Sequence, residues 1–214
     1  MNKNGPKNRG HGFAMVILTL VSAGLLSGVL LPFFFESQSL YYKFGMEKAM
    51  LQWGKAAGFM AVTLMVVQVV LVSRFSFLVT SFSLARLLSL HKYTGVLICL
   101  LVMVHPFLIL GADGFVFFPL ELRYWSEFTG VFLAFSILIV AGLSLWRRAL
   151  KFPVRSWLRL HRLATPAIVV LALVHARTVS ETFDHVLPGI WLGIIAIIAL
   201  VLFARIYFKR FSGN

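Results

Sequence analysis

The chain has 214 residues, 60% of them apolar and 13% charged, with 20 Lys and Arg against 7 Asp and Glu. So few polar side chains cannot cover a soluble globule, so the composition excludes a water-soluble domain and predicts an integral membrane protein. The formal charge of +13 does not point to nucleic acid, because the cations are split among loops bordering apolar spans and no separate basic domain presents them.

A polar tail, residues 1–13, carries Lys3, Lys7, Arg9 and His11. The first apolar run follows at roughly 14 to 35; its length and the lack of a small-residue cleavage site predict a retained helix in place of a cleaved signal peptide. Five more runs come at roughly 56 to 73, 93 to 111, 127 to 146, 163 to 179 and 189 to 207, before a short tail at 208–214. Runs this long and continuous are helices, because in hydrocarbon each span must pair its own backbone groups. The expectation is an all-α integral membrane protein, a six-transmembrane-helix bundle occupying residues 14–207. Fifteen Lys and Arg fall on one side of these runs, and only Lys43, Lys48, Lys55, Arg123 and Arg177 on the other. The asymmetry predicts a multi-pass protein of the cell (inner) membrane with both termini cytoplasmic.

Four histidines carry the chemistry. His91 and His105 belong to the third run, His161 and His175 to the fifth, and each pair is separated by 14 positions. Fourteen residues rotate to within about 40° of four full turns and rise about 21 Å, so both histidines of a pair share one helix face near opposite edges of a bilayer. The third and fifth helices both run outward. His91 then matches His161 at the cytoplasmic edge, and His105 matches His175 at the outer edge. Ligands at equal depth on two facing helices are what a bis-histidine haem needs, so the spacing predicts an inner haem on His91 and His161 and an outer one on His105 and His175. His11 and His185 are single histidines near helix ends and read as interfacial.

Other residues are read around this pattern. Gly95, one turn beyond His91, leaves room for a macrocycle edge, and the Thr165 hydroxyl lies one turn beyond His161. Pro106 and Pro166 interrupt the backbone ladder beside the sites. Lys92, Arg159, Arg162 and Arg86 at the inner edge, with Arg177 and Lys55 at the outer, are candidate partners for haem propionates. The loop from Arg147 to Arg162, bordered by Trp146 and Trp157, suits an acidic redox partner or a flavin phosphate. Tyr41, Tyr42, Trp53, Tyr124 and Trp125 fit an outer aromatic belt, and Phe33 to Phe35, Phe115, Phe117 and Phe118 fit lipid-facing packing. Ile98 and Ile168 stand halfway between the histidines, so an aromatic relay has to come from another helix, such as Phe132 or Phe135. Cys99 is a lone cysteine and reads as packing.

The stretch from Leu90, His91, Lys92, Tyr93, Thr94 and Gly95 to His105 and Pro106 resembles the ferric reductase-like transmembrane domain. So does the stretch from Trp157, Leu158, Arg159, Leu160, His161 and Arg162 to Val174, His175 and Ala176. That family includes ferric reductases, NADPH oxidases and the haem subunit of a periplasmic methionine sulfoxide reductase system. The resemblance covers roughly residues 50 to 207 and implies that the four histidines are axial ligands of two b-type haems. Relatives that continue into a cytosolic FAD- and NADPH-binding domain differ from this sequence, which shows no Gly-rich nucleotide fingerprint. The expected donor is a separate cytoplasmic flavoprotein reductase, or a flavin or quinol at the membrane face. Oxygen-reducing members carry a further histidine where this chain has Ile109, which turns the expectation away from superoxide production.

The resulting expectation is the membrane component of a metalloreductase-like oxidoreductase. It moves electrons through two b-type haems from a cytoplasmic-side donor to a ferric chelate or a periplasmic redox protein. Two other haem readings are a subunit of a methionine sulfoxide reductase-type system and a quinol-linked cytochrome b. A haem-free transporter is a reading of another class, and it calls for mid-membrane polar groups, of which Gln68, Thr63 and Ser136 are the few available.

Overall fold

The computed structural model describes residues 6–36 and 43–211; Lys3, Tyr41 and Tyr42, and with them parts of both predicted tails, lie outside the described residues. Among the described residues there are seven α-helices, two short 3-10 turns and no strand. The helices are α1 (Pro6–Phe34), α2 (Gly45–Val72), α3 (Ser76–Ser81), α4 (Leu84–Ala112), α5 (Trp125–Trp146), α6 (Val154–Val179) and α7 (Val186–Phe211). All but the six-residue α3 contain a stretch long and apolar enough to cross a bilayer. The protein is therefore an all-helical, multi-pass membrane protein with six spans.

Several helices begin well before their apolar runs. Helix α4 starts at Leu84 and α6 at Val154, so His91 and His161, expected at the edge of a span, are each the eighth residue of a helix. Hydropathy stops at Arg86 or Arg159, whereas the helix continues as long as its backbone is paired. At the start of α4 the Ser83 hydroxyl accepts the Arg86 N–H at 3.3 Å, supplying a cap. The two histidine helices share one register, with His105 and His175 each the twenty-second residue.

Helix α2 is the spine. It packs along α4 and α1 and also meets α6 and α7, whereas α4 and α6 scarcely touch backbone to backbone. Its buried Val62, Met65, Val66 and Val69 join Ile98 of α4, Leu133 and Ile137 of α5 and Val169 and Ala172 of α6 in one apolar cluster. The other faces of α4 and α5 turn Leu100, Met103, Phe107 and Ile139 outward, where lipid tails are as apolar as a protein core. Phe132 and Phe135 are among these exposed residues, so neither is placed to bridge the histidine pairs. Leu133 and Ile137 hold the inward stripe of α5, and the two phenylalanines fall on the opposite face.

The two ends of the bundle differ in charge. All seven acids lie in or beside the α1–α2, α4–α5 and α6–α7 connections. Four of them form ion pairs there: Asp113 with Lys43 at 2.7 Å, Glu36 with Lys48 at 2.8 Å, Glu121 with Arg123 at 2.8 Å and Asp184 with Arg177 at 2.9 Å. Among the described residues the opposite end, where α1 begins and α7 finishes, holds fourteen cations and no acid.

Candidate functional site

The four histidines come together as two pairs between α4 and α6. Ring centres are 6.2 Å apart for His91 and His161 and 6.4 Å apart for His105 and His175, with ring planes at 80° and 84°. Fourteen helical residues place the pairs about 21 Å apart along the axis. Pro106 and Pro166 lie inside α4 and α6, and both helices remain continuous through them. Because the two helices hardly meet, each pair faces across a gap, and two opposed imidazoles are what such a gap offers.

Distinct contacts hold the two pairs. At the acid-bearing end, Nδ1 of His105 lies 2.8 Å from the Gly54 carbonyl of α2, and Nδ1 of His175 lies 2.9 Å from the Ser126 carbonyl of α5. A carbonyl only accepts, so each Nδ1 donates, which leaves a lone pair on Nε2. At the basic end, Nδ1 of His91 and of His161 is buried with no hydrogen-bond partner. Gln68 of α2 braces this level by donating to the His91 carbonyl at 2.9 Å. A Cβ on Gly95 would stand 3.1 Å from the Gln68 side chain, so that glycine makes room for Gln68. The Thr165 hydroxyl donates to the His161 carbonyl at 2.6 Å, which occupies its proton within its own helix.

The main addition to the sequence reading is Trp157. Its indole stacks on His161 at 5.3 Å and 23°, donates from Nε1 to the Ser144 hydroxyl at 3.2 Å, and lies under the Arg147 guanidinium at 5.9 Å. One aromatic residue four positions before a histidine on a helix was the available signal. The glycines Gly58 and Gly130, which face the His105 and His175 rings, were also not singled out.

Cations fall into two groups. Lys92, Arg159, Arg162 and Arg86 are exposed at the basic end, and none forms an ion pair among the described residues. At the other end Arg177 is committed to Asp184, and the buried Lys55 has Glu181 as an electrostatic partner. His185 is a loop residue whose ring lies near Phe35 and whose Nε2 lies 3.3 Å from the Glu36 carbonyl, in keeping with an interfacial role. Ile109 packs where a Cβ on Gly54 would meet it at 2.9 Å. The mid-span hydroxyls of Thr63 and Ser136 donate to Phe59 and Phe132 carbonyls in their own helices, so neither joins a polar path.

Residues 57–172 match the family described as ferric reductase like transmembrane component. The chain belongs to that family. The matched segment runs from α2 into α6 and takes in His91, His105 and His161; His175 follows it three residues later. No curated protein and no solved structure gives a match. Membership in the ferric reductase-like family, together with six apolar spans, makes this a membrane protein of oxidoreductase type.

Proposed function

We propose that the protein conducts electrons across the membrane through two b-type haems, an inner one held by His91 and His161 and an outer one held by His105 and His175. The paired ring separations carry this reading. An imidazole nitrogen binds a first-row metal at about 2 Å, and two such bonds plus two ring radii come to about 6.3 Å between ring centres. The measured values are 6.2 and 6.4 Å, at two depths. Two imidazoles are the protein share of an iron whose equatorial positions a macrocycle fills, and fewer than the three or four protein ligands of a zinc site. Among the described residues no group of three or more His, Cys, Asp or Glu converges. No hydrogen bond commits Nδ1 of His161, and the Trp157 indole stacked on that ring orients it toward His91.

Haem supplies a one-electron iron couple, and the chain's own residues do the rest. His105 and His175 are fixed in the tautomer that presents Nε2. Val69, Ile98 and Val169 keep the space between the levels apolar and dry. Lys92, Arg159 and Arg162 are the cations to answer propionates at the inner edge, with Arg86 beside them. Both termini and the basic end face the cytoplasm by the positive-inside bias. Electrons enter there from a flavoprotein or a quinol and leave outside to a ferric chelate or a periplasmic redox protein. The haem-free transporter loses support because the hydroxyls of Thr63 and Ser136 are spent within their own helices.

The reading is tested on the purified protein with single-histidine variants. His105→Ala or His175→Ala is expected to leave one haem per chain, and so is His91→Ala or His161→Ala. Variants that each retain two haems contradict the ligand assignment.

A further inference from the structure

Each histidine helix is tied to one antiparallel neighbour at two levels, and the two ties share a register. Between α2 and α4 the outer tie joins the Gly54 carbonyl to Nδ1 of His105 at 2.8 Å, and the inner tie joins Nε2 of Gln68 to the His91 carbonyl at 2.9 Å. Gly54 and Gln68 are 14 positions apart, and so are His91 and His105. Between α5 and α6 the ties are Ser126 with His175 at 2.9 Å and Ser144 with Trp157 at 3.2 Å, and here the spacing is 18 positions on both helices. Equal spacing on antiparallel helices means that one axial setting satisfies both ties, and a slide of one residue, about 1.5 Å, strains both. Because α4 and α6 scarcely touch, these ties set the gap across which the imidazoles face each other.

Gln68 is a polar side chain within a membrane-spanning helix, and its amide is only half used. A carbonyl only accepts, so the amide nitrogen faces His91, and Oε1 is left buried with no hydrogen-bond partner among the described residues. The Gln68 main chain also interacts with the His91 ring, so both parts of this residue bear on one histidine. Gly95 follows His91 by four positions, where a side chain ordinarily covers the carbonyl one turn back, and a Cβ there would stand 3.1 Å from Nε2 of Gln68. The Thr94 hydroxyl is 3.3 Å from the same carbonyl and makes its shorter bond, 2.8 Å, to Leu90. An apolar side chain of the same length fills this space without stranding an acceptor, so packing alone does not call for glutamine. We propose that Gln68 is a positioning residue, a clamp that fixes the depth and ring plane at which His91 faces His161, with Gly95 as the opening that admits it. The inference rests on the two-haem reading above. Neither residue supplies a ligand; both act through the turn of α4 that carries His91.

The test uses purified full-length chains that each keep one histidine pair and leave α4 unaltered. His175→Ala retains the inner pair and His161→Ala the outer, and Gln68→Met is placed in each. Methionine is as long and unbranched as glutamine, and it removes both the donor and the stranded acceptor. Haem retention on warming, followed in the visible spectrum, is expected to fall about fivefold at the inner pair, the worth of one net hydrogen bond, and to stay within twofold at the outer. Ferric EPR g values of the inner pair are expected to move as His91 loses its fixed plane. The unfolding midpoint of the polypeptide is expected to hold or rise, because no acceptor is left stranded. Inner retention within twofold together with unmoved g values overturns the inference and leaves the two-haem reading standing. Equal loss at both pairs with a lowered midpoint is a general packing defect and also overturns it. A wild-type chain without haem overturns both readings. If Gln68→Met fails to accumulate, Gly95→Ala disturbs the same contact from α4, with Gly193→Ala, whose added methyl meets nothing within 4 Å, as the control for glycine replacement. Its inner g values must move while the control stays in place, and unmoved values overturn the inference.

Discussion

Replacing Trp157 with alanine is expected to loosen the inner histidine pair selectively. The indole makes three contacts there: the stack on His161 at 5.3 Å, the hydrogen bond to Ser144 at 3.2 Å and the Arg147 guanidinium at 5.9 Å. An aromatic pair contributes about 1 kcal/mol, a net hydrogen bond between half-buried groups a little under 1, and a partly solvated cation–π contact about 0.5. Together these come to about 2 kcal/mol, or roughly thirtyfold in retention of the inner cofactor at about 1.4 kcal/mol per tenfold. The assay is haem loss from each site on warming the purified protein, followed in the visible spectrum. Trp157→Phe keeps the stack and loses only the N–H, so it is expected to cost about 1 kcal/mol or less. Ser144→Ala is expected to match it, and the double variant to cost little more than either alone, because both remove one bond. Inner-site retention within twofold of wild type in Trp157→Ala, or equal loss from both sites, refutes the reasoning.

Further outcomes follow from the same geometry. With haem bound, rings held at 80° and 84° would direct the two imidazoles of each pair at different iron d orbitals and leave those orbitals nearly equal in energy. Ferric EPR is therefore expected to show strongly anisotropic low-spin signals with one large g value; the rhombic pattern of parallel rings at both sites contradicts this arrangement. For topology, Cys99→Ala provides a cysteine-free background. An impermeant maleimide added to intact cells is expected to label Glu121→Cys and spare Lys151→Cys, and the opposite pattern inverts the assigned orientation. Among the described residues the basic end carries fourteen cations and no acid, so reduction by an acidic donor protein is expected to slow several-fold between about 50 and 200 mM salt. Arg155→Glu combined with Arg159→Glu is expected to reproduce much of that loss at low salt, and a salt-independent rate removes the steering argument.

The six spans and the matching of His91 to His161 and His105 to His175 were legible because each depends on a simple period. Apolar runs fix the spans, and 14 residues return a helix to nearly the same face. Helix starts were less legible, since Arg86, Lys92 and Arg159 lower hydropathy without breaking a helix. Contacts between helices were not legible at all. Nothing local to Gly95 says that Gln68 fills its space, and nothing local to Gly58 or Gly130 says that a histidine ring from another helix does. Small residues four apart in a span ordinarily signal close helix packing, and here the partner approaching is a side chain. Phe132 and Phe135 illustrate the same gap, because α5 is apolar all round and its sequence does not say which side faces lipid.

The central claim, two haems on four histidines, is tested most directly by an optical spectrum of the purified protein, oxidised and then reduced, with pyridine extraction to count haem per chain. The account predicts a b-type spectrum and two haems per chain. Protein that emerges colourless from haem-replete cells contradicts it.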